Sequence, residues 1–377
     1  MRYYLIAGEA SGDLHGSNLI RELSNADSNA QFRFFGGQLM EGAAGEGLVK
    51  HYREMAFMGI LNVILNIRTI GHNMTLCKKD ILKFNPDVLI LIDYPGFNLR
   101  IAEFAKKHNI KVFYYISPKV WAWKEYRVKK MKHYVDEIFS ILPFEIEFFE
   151  KHGMTVHFVG NPVMDSIDAF KSKALAKNEF FKNNNLDDRP VVALIAGSRK
   201  QEIENTLPVM VKAAEGLKNF QFVVAGVKSV DSHLYKKYLE NKGINIVYDS
   251  TYNLLNNSFA ALTASGTAVL ETALFNVPQT VLYKLEGGWI IHLLMKYIFL
   301  KINWVSLPNL ILEKEAVREL LQMEMTVKNV RSELSKLLFD YGYRQKILSD
   351  YKRLKLLLGD SGSSKRTAEK MIKIIRS

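Results

Sequence analysis

With 377 residues and a formal net charge of +12 at pH 7, the chain is too long for one hydrophobic core, since cores stop growing beyond about 250–300 residues and chains then split into domains. Its 48% hydrophobic and 24% charged residues exclude a disordered or low-complexity chain. The one cysteine, Cys77, excludes an intrachain disulfide and a thiolate metal site, as expected of a cytosolic protein, while a pI near 9.4 favours an anionic partner, which charge alone leaves as nucleic acid, an acidic membrane face or a phosphorylated substrate.

The opening MRYYLIAGEASGD carries an apolar run too short for a signal peptide, so no export is implied and residues 3–7 read as a first strand. A loop over 8–16 enters a helix, residues 32–35 form a second strand closed by Gly36-Gly37, and further strands are expected at 87–92, 111–116, 137–141 and 156–159. Short, continuous apolar strands separated by helices imply a parallel sheet covered on both faces, so 1–165 reads as one doubly wound lobe. After a polar linker over 171–189 the alternation resumes, with strands at 191–195, 220–225, 244–247, 259–263 and 279–282 and a second lobe over 166–340. The remainder is helical and rich in Lys and Arg, with a break at 359–364. As a tail over 341–377 it either packs back on the first lobe or exchanges with a second subunit, which would make a homodimer. The predicted fold class is α/β, with two doubly wound, Rossmann-like lobes facing a cleft and a helical C-terminal tail. Ligands of such sheets bind outside the carboxyl ends of the strands.

Several strand ends carry chemistry. In VVALIAGSRKQEIENTL (191–207) a buried strand turns through Gly197 and Ser198 into a helix, with Arg199 at its start and Glu202 and Glu204 in the first turn. Free N–H groups and a fixed positive charge together suit a phosphate, although an ordinary βα connection with a surface arginine would look the same. In ASGTAVLETAL, Ser265, Gly266 and Thr267 open a second such helix, and Glu271 lies one turn in, on the face of Thr267, where it could accept ribose hydroxyls. The two ends together describe a held nucleotide diphosphate, stabilised as a leaving group without metal. Neither GxxxxGK[ST] nor a strand-linked GxGxxG occurs, which disfavours an ATPase or an NAD enzyme.

In the first lobe, GEASGDLHG (8–16) places Glu9 and Asp13 where either could take a proton from a hydroxyl, or where Asp13 simply caps a helix. Asp93, at the tip of the strand VLILI, is expected to point into the crevice and to be partly desolvated, which would raise its pKa toward that of a base. A role in bonding the following turn is the alternative. The segment SPKVWAWKEYRVKKMKHYV interleaves aromatics with Lys and Arg, as an RNA-stacking surface, a sugar pocket or a lobe core would. His133 has no partner at ligand spacing, and no metal is expected there.

The order of AGEASGDLHG, MGILNVI (58–64), IDYPGFN (92–98), SPKVWAW (117–123), LPFE (142–145), FVGNPVMD (158–165), GSRKQEI (197–203), SGTAVLET (265–272) and VSLPNLI (305–311) resembles the lipid-A-disaccharide synthase family along nearly the whole chain. The resemblance implies a GT-B-type fold and an inverting, metal-independent and cofactor-free transfer from UDP-2,3-diacylglucosamine to 2,3-diacylglucosamine 1-phosphate (lipid X), giving the β-1,6 disaccharide 1-phosphate and UDP. Carried over by position, it implies Asp93 as the base with Glu9 as second choice. Gly197, Ser198, Arg199, Glu202, Ser265, Gly266, Thr267, Glu271, Asn309 and Gln322 would form the donor side. Ser11, Gly12, Asp13, Met58, Ile60 and Val63 would serve the acceptor or its lipid. Ala196 stands where the family has proline before GSR, and Lys119 and Lys124 replace serine and arginine; none removes a proposed catalytic group.

Substrates bearing acyl chains call for contact with a bilayer edge. The run MAFMGILNVILNIRTI (55–70) has the make-up of an interfacial helix, and WIIHLLMKYIFL (289–300) is too short to span a bilayer; either could be core instead. Basic residues near an anionic surface gain about 1 kcal/mol each, so peripheral, salt-sensitive association with the cytoplasmic face of the inner membrane is expected, with no transmembrane helix. Two rivals stand beside this reading. A UDP-sugar 2-epimerase of the same architecture would act on unacylated UDP-GlcNAc. A nucleic-acid-binding protein would explain the charge but not Asp93 or the SGT helix, so no nucleic acid is expected as a partner.

Overall fold

A computed structural model describes residues 1–55, 66–118, 120–123, 126–284 and 303–377. They form two compact units, the first made of Met1–Asp165 with Leu358–Ser377 and the second of Ser166–Leu357.

The first unit holds a seven-stranded sheet of β1 (Arg2–Ala7), β2 (Gln31–Gly36), β3 (Leu48–His51), β4 (Val88–Ile92), β5 (Lys111–Tyr115), β6 (Glu137–Ser140) and β7 (Val156–Phe158), in the order β3-β2-β1-β4-β5-β6-β7. Every pairing is parallel. All five residues of β4 are buried because both faces are covered: Leu89 and Leu91 join Tyr4 and Ile6 in one core, Val88 and Ile90 join Tyr3 and Leu5 in the other. That second face is completed from the far end of the sequence, by Ala368, Met371 and Ile372 of the helix Ser363–Arg376. Asp165 docks this helix, its carboxylate accepting from the backbone N–H groups of Gly362 (2.6 Å), Ser364 (2.9 Å) and Ser363 (3.0 Å). Such a cap stabilises a helix by about 0.5–2 kcal/mol.

The second unit repeats the plan with β8 (Val191–Ile195), β9 (Gln221–Gly226), β10 (Asn245–Tyr248), β11 (Ser258–Ala264), β12 (Gln279–Tyr283) and β13 (Arg318–Leu321), all parallel, in the order β10-β9-β8-β11-β12-β13. In each sheet the chain runs outward from a central strand and then returns to that strand's other side, at β1/β4 and at β8/β11. These are the switch points at which open α/β sheets leave a crevice for a ligand.

Four elements depart from expectation. β3 (LVKH) and β13 (RELL) lack an apolar run, and both sit at sheet edges. The linker over 171–189 contains the helix Lys177–Asn183, which buries Phe180 and Phe181 in the second core. The segment 341–377 is shared, since the helix Tyr341–Leu358 lies almost wholly in the second unit, where the Tyr351 hydroxyl donates to the Val277 carbonyl (3.3 Å). Among the described residues no helix is long and apolar enough to cross a membrane. Met58, Ile60, Val63 and the run 289–300 lie outside the described residues.

Candidate functional site

At the first switch point Ala7 pairs with Ile92, so Glu9 and Asp93 follow adjacent strand ends. Asp93 and Tyr94 both adopt left-handed backbone, with φ of 44° and 47°, a conformation that costs non-glycine residues about 1–3 kcal/mol each and persists only where the surroundings enforce it. Here they do. The Asp93 carbonyl accepts from the Tyr114 hydroxyl (2.6 Å) and from Asn98 Nδ2 (2.7 Å), and its N–H donates to the Ile116 carbonyl (3.2 Å). The Tyr94 ring lies on Gly8, where an added Cβ would come within 2.2 Å of Tyr94 Cγ, and its hydroxyl donates to the Met55 carbonyl (2.7 Å). Burial and, after it, the charge of Glu9 hold the Tyr94 phenol above its usual pKa. The expected desolvation of Asp93 is not found: the residue is exposed, because the left-handed turn lifts it clear of the strand.

The other residues of GEASGD divide. Ser11 is exposed in the first turn of the helix Ala10–Ala26, whereas Gly12 is buried against Ala7, where a Cβ would sit 3.1 Å from the Ala7 Cβ. Asp13 reads differently from a base or an acceptor ligand. It is 3% exposed, and its carboxylate accepts from the backbone N–H groups of Gly37 (2.8 Å), Met40 (3.1 Å) and Leu39 (3.2 Å). It thereby caps the helix Gln38–Ala44, whose own N-cap, Gly37, has no side chain to do so.

A buried acid near the first unit's strand ends, Glu145, is not singled out by the sequence reading. Glu145, 1% exposed, accepts from Ser117 Oγ (2.8 Å), Trp121 Nε1 (3.0 Å) and Ser140 Oγ, tying the loop after β5 to the end of β6. Trp121 also stands edge-on to Phe144, with ring centroids 4.9 Å apart. An indole so engaged packs the lobe rather than offering a face to a nucleobase. Only the motif LPFE could have signalled Glu145, and hydropathy gives it no buried role.

In the second unit, Gly197 has φ +110° and supports the Glu202 side chain, whose Oε2 would lie 2.5 Å from an added Cβ. Glu202 Oε2 accepts from the N–H groups of Ser198 (2.9 Å) and Arg199 (3.3 Å), and Oε1 meets Arg199 Nη1 at 3.3 Å. The N-terminus of the helix Lys200–Ala214 thus already holds an anion of its own. An incoming phosphate competes with that carboxylate for the same donors. Glu202→Ala is therefore expected to tighten UDP binding about three- to tenfold, since apparent affinity falls with the fraction of molecules whose site is vacant. Isothermal titration with UDP measures this, and weaker binding by the variant would show that the carboxylate holds the loop in shape instead. A cavity of about 610 Å³ adjoins the loop, lined by Ser198, Arg199, Lys200, Ser229, His233 and Lys237 among others.

Across the switch point, Ser265 and Gly266 follow β11, and Thr267 begins an eight-residue helix with its side chain exposed. Glu271 accepts from the Tyr252 hydroxyl (2.8 Å), and burial raises its carboxyl above the usual range, with the Tyr252 bond working in opposition. Gln322, at the end of β13, has positive φ (49°) and 9% exposure, and its Nε2 is buried with no partner among the described residues. A bound ligand is one of the few ways to satisfy such a group. Asn309 differs from the expected donor ligand. It is fully buried, Nδ2 donates to the Val317 carbonyl and to Glu319 (both 2.8 Å), and Oδ1 accepts from the N–H groups of Ala316 (2.8 Å) and Val317 (2.9 Å). That uses all four of an amide's hydrogen-bonding positions. Among the described residues no group of three or more His, Cys, Asp or Glu could hold a metal ion.

Two doubly wound units, each with polar and charged side chains gathered at its switch point, define a protein of the GT-B class. Solved structures agree at the level of fold. The UDP-GlcNAc 2-epimerase from Neisseria meningitidis bound to UDP-GlcNAc superposes with a TM-score of 0.73 at 13% identity, covering 99% of this chain and 100% of that one. The calicheamicin glycosyltransferase CalG4 gives 0.61 at 14%, covering 100% and 98%. In sequence, the lipid-A-disaccharide synthetase family profile matches residues 3–375. The lipid-A-disaccharide synthases of Trichlorobacter lovleyi and Coxiella burnetii are 34% and 35% identical, over 99% and 98% of this chain and 97% and 96% of theirs. The chain belongs to the lipid-A-disaccharide synthase family, and it is a glycosyltransferase of lipid A biosynthesis.

Proposed function

We propose that this glycosyltransferase moves 2,3-diacylglucosamine from UDP-2,3-diacylglucosamine to the 6-hydroxyl of 2,3-diacylglucosamine 1-phosphate. The observation that carries the reading is the carboxylate of Asp93 on an enforced turn at one switch point, in a chain whose other switch point bears Arg199 and two helix N-termini. Asp93 takes the proton of the acceptor hydroxyl, and the freed oxygen attacks C1 of the donor sugar from the face opposite the diphosphate. The C1–O6 bond forms as the bond from C1 to the β-phosphate oxygen breaks, and the configuration at C1 inverts. UDP leaves with the electron pair, its charge met by Arg199 and by the N–H groups of the helices beginning at Lys200 and Thr267. Those preorganised donors do the work that a divalent cation does in other transferases. Glu271 and Gln322 hold the nucleotide.

The acyl chains of both substrates stay with the membrane while the sugars react in water, and the excess of basic residues draws the protein to an anionic surface. Transfer to labelled acceptor in anionic vesicles tests the whole reading. Disaccharide is expected with or without EDTA, at a rate that falls as salt is raised. No disaccharide from folded protein, together with epimerisation of unacylated UDP-GlcNAc, would replace the synthase with an epimerase.

A further inference from the structure

Asp93 could be exposed at a strand end in many conformations, yet its peptide is gripped from three sides. Tyr114 Oη and Asn98 Nδ2 converge on its carbonyl oxygen at 2.6 and 2.7 Å, and Ile116, itself left-handed with φ 61°, accepts its N–H. Neither Tyr114 nor Asn98 has any exposed surface, so neither can reach a substrate. Asn98 Nδ2 also lies 3.3 Å from the Ile92 carbonyl and 3.5 Å from that of Ile6, which ties the turn to β1 and β4 together. Ordinary strand packing asks for none of this. A tyrosine in the middle of a parallel sheet is normally an apolar filler, and here its one polar atom is spent on the carbonyl of an unfavourable turn. Burial, reinforced by the nearby charge of Asp93, keeps the Tyr114 phenol protonated and therefore a donor.

We propose that Tyr114 and Asn98 are positioning residues for the transfer, holding the Asp93 peptide in its left-handed conformation so that the carboxylate stands at a fixed place relative to the acceptor hydroxyl. This rests on Asp93 being the base. A proton acceptor displaced by about 1 Å loses about a hundredfold in rate, whereas substrate affinity, which Asp93 need not supply, is untouched.

Steady-state kinetics of Tyr114→Phe, Asp93→Asn and the double variant test it. The phenylalanine keeps the packing and removes only the hydroxyl. The expected result is a kcat lowered about 10- to 100-fold with KM for both substrates within about twofold, and no further loss when Tyr114→Phe is added to Asp93→Asn. The same split between kcat and KM is expected of Asn98→Ala. A Tyr114→Phe enzyme with wild-type kcat beside an inactive Asp93→Asn enzyme overturns the proposal and leaves the base in place. Losses that multiply in the double variant, or that appear only in KM or in the melting temperature, overturn it as well. An Asp93→Asn enzyme with near wild-type kcat sinks the base itself.

Discussion

Asp93→Asn is expected to lower kcat by about 10²–10⁴-fold, the usual contribution of a positioned general base. The amide matches the carboxylate in shape, and the bonds from Tyr114 and Asn98 and to Ile116 are made by the Asp93 backbone, so the substitution leaves them in place. What it lacks is an oxygen that can accept a proton. The residues proposed to hold the donor belong to the other compact unit, so calorimetry should find UDP binding unchanged, and a loss confined to kcat is the signature of an interaction made only in the transition state. A loss of less than about tenfold would remove Asp93 from the chemistry. Glu9→Gln would then be the variant to measure, since Glu9 is the other carboxylate at the same strand ends.

The second large effect is expected from Arg199→Ala, a fall in kcat/KM of about 10²–10³-fold, comparable to the loss of one preorganised donor to a developing oxyanion. In the structure the guanidinium is exposed and paired with Glu202 at 3.3 Å. An exposed ion pair of this kind stabilises a protein by about 0–1 kcal/mol, so folding gives little reason for it, and melting should barely change. The charge is of more use to a departing diphosphate, which has no metal to lean on in the proposed reaction. A rise in KM at constant kcat would mean that Arg199 only gathers the donor and does not favour the transition state. Transfer kinetics over a range of donor concentrations separates the two.

Much of the fold was legible because it rests on apolar runs. Val191–Ile195 is a strand over the residues that hydropathy marks, and the helix after it buries Leu207, Met210, Val211 and Ala214, spaced as one face of a ~3.6-residue repeat. Reading failed where polar residues are buried. β13 carries Arg318 and Glu319, and Glu319 is nonetheless 7% exposed, because the Val305 and Ser306 N–H groups, the Ser306 hydroxyl and Asn309 all donate to it. Those partners lie 10 to 14 residues before it, and no hydropathy period links them to it. The candidate site divides along the same line. Which strand ends bear chemistry follows from local pattern, whereas the use made of a carboxylate depends on which N–H groups reach it, and for Asp13 those are the distant ones of residues 37–40. Asp13, Asp93 and Glu202 look alike in sequence. One is engaged by a distant helix, one stands exposed on a gripped turn, and one occupies the anion position of its own helix.

The first unit is discontinuous in sequence, and synthesis is vectorial. At about 5–20 residues added per second, the whole second unit leaves the ribosome before Leu358–Ser377 do. Until then the sheet that carries Asp93 has no Ala368, Met371 or Ile372 to cover part of one face, and Asp165 has no helix to cap. The lobe that begins first is therefore completed last. A nascent chain stalled short of residue 358 would present a finished second unit and a half-built first one with apolar surface open to holding chaperones, and damage to residues 358–377 would be felt at the sheet formed by the first hundred and sixty.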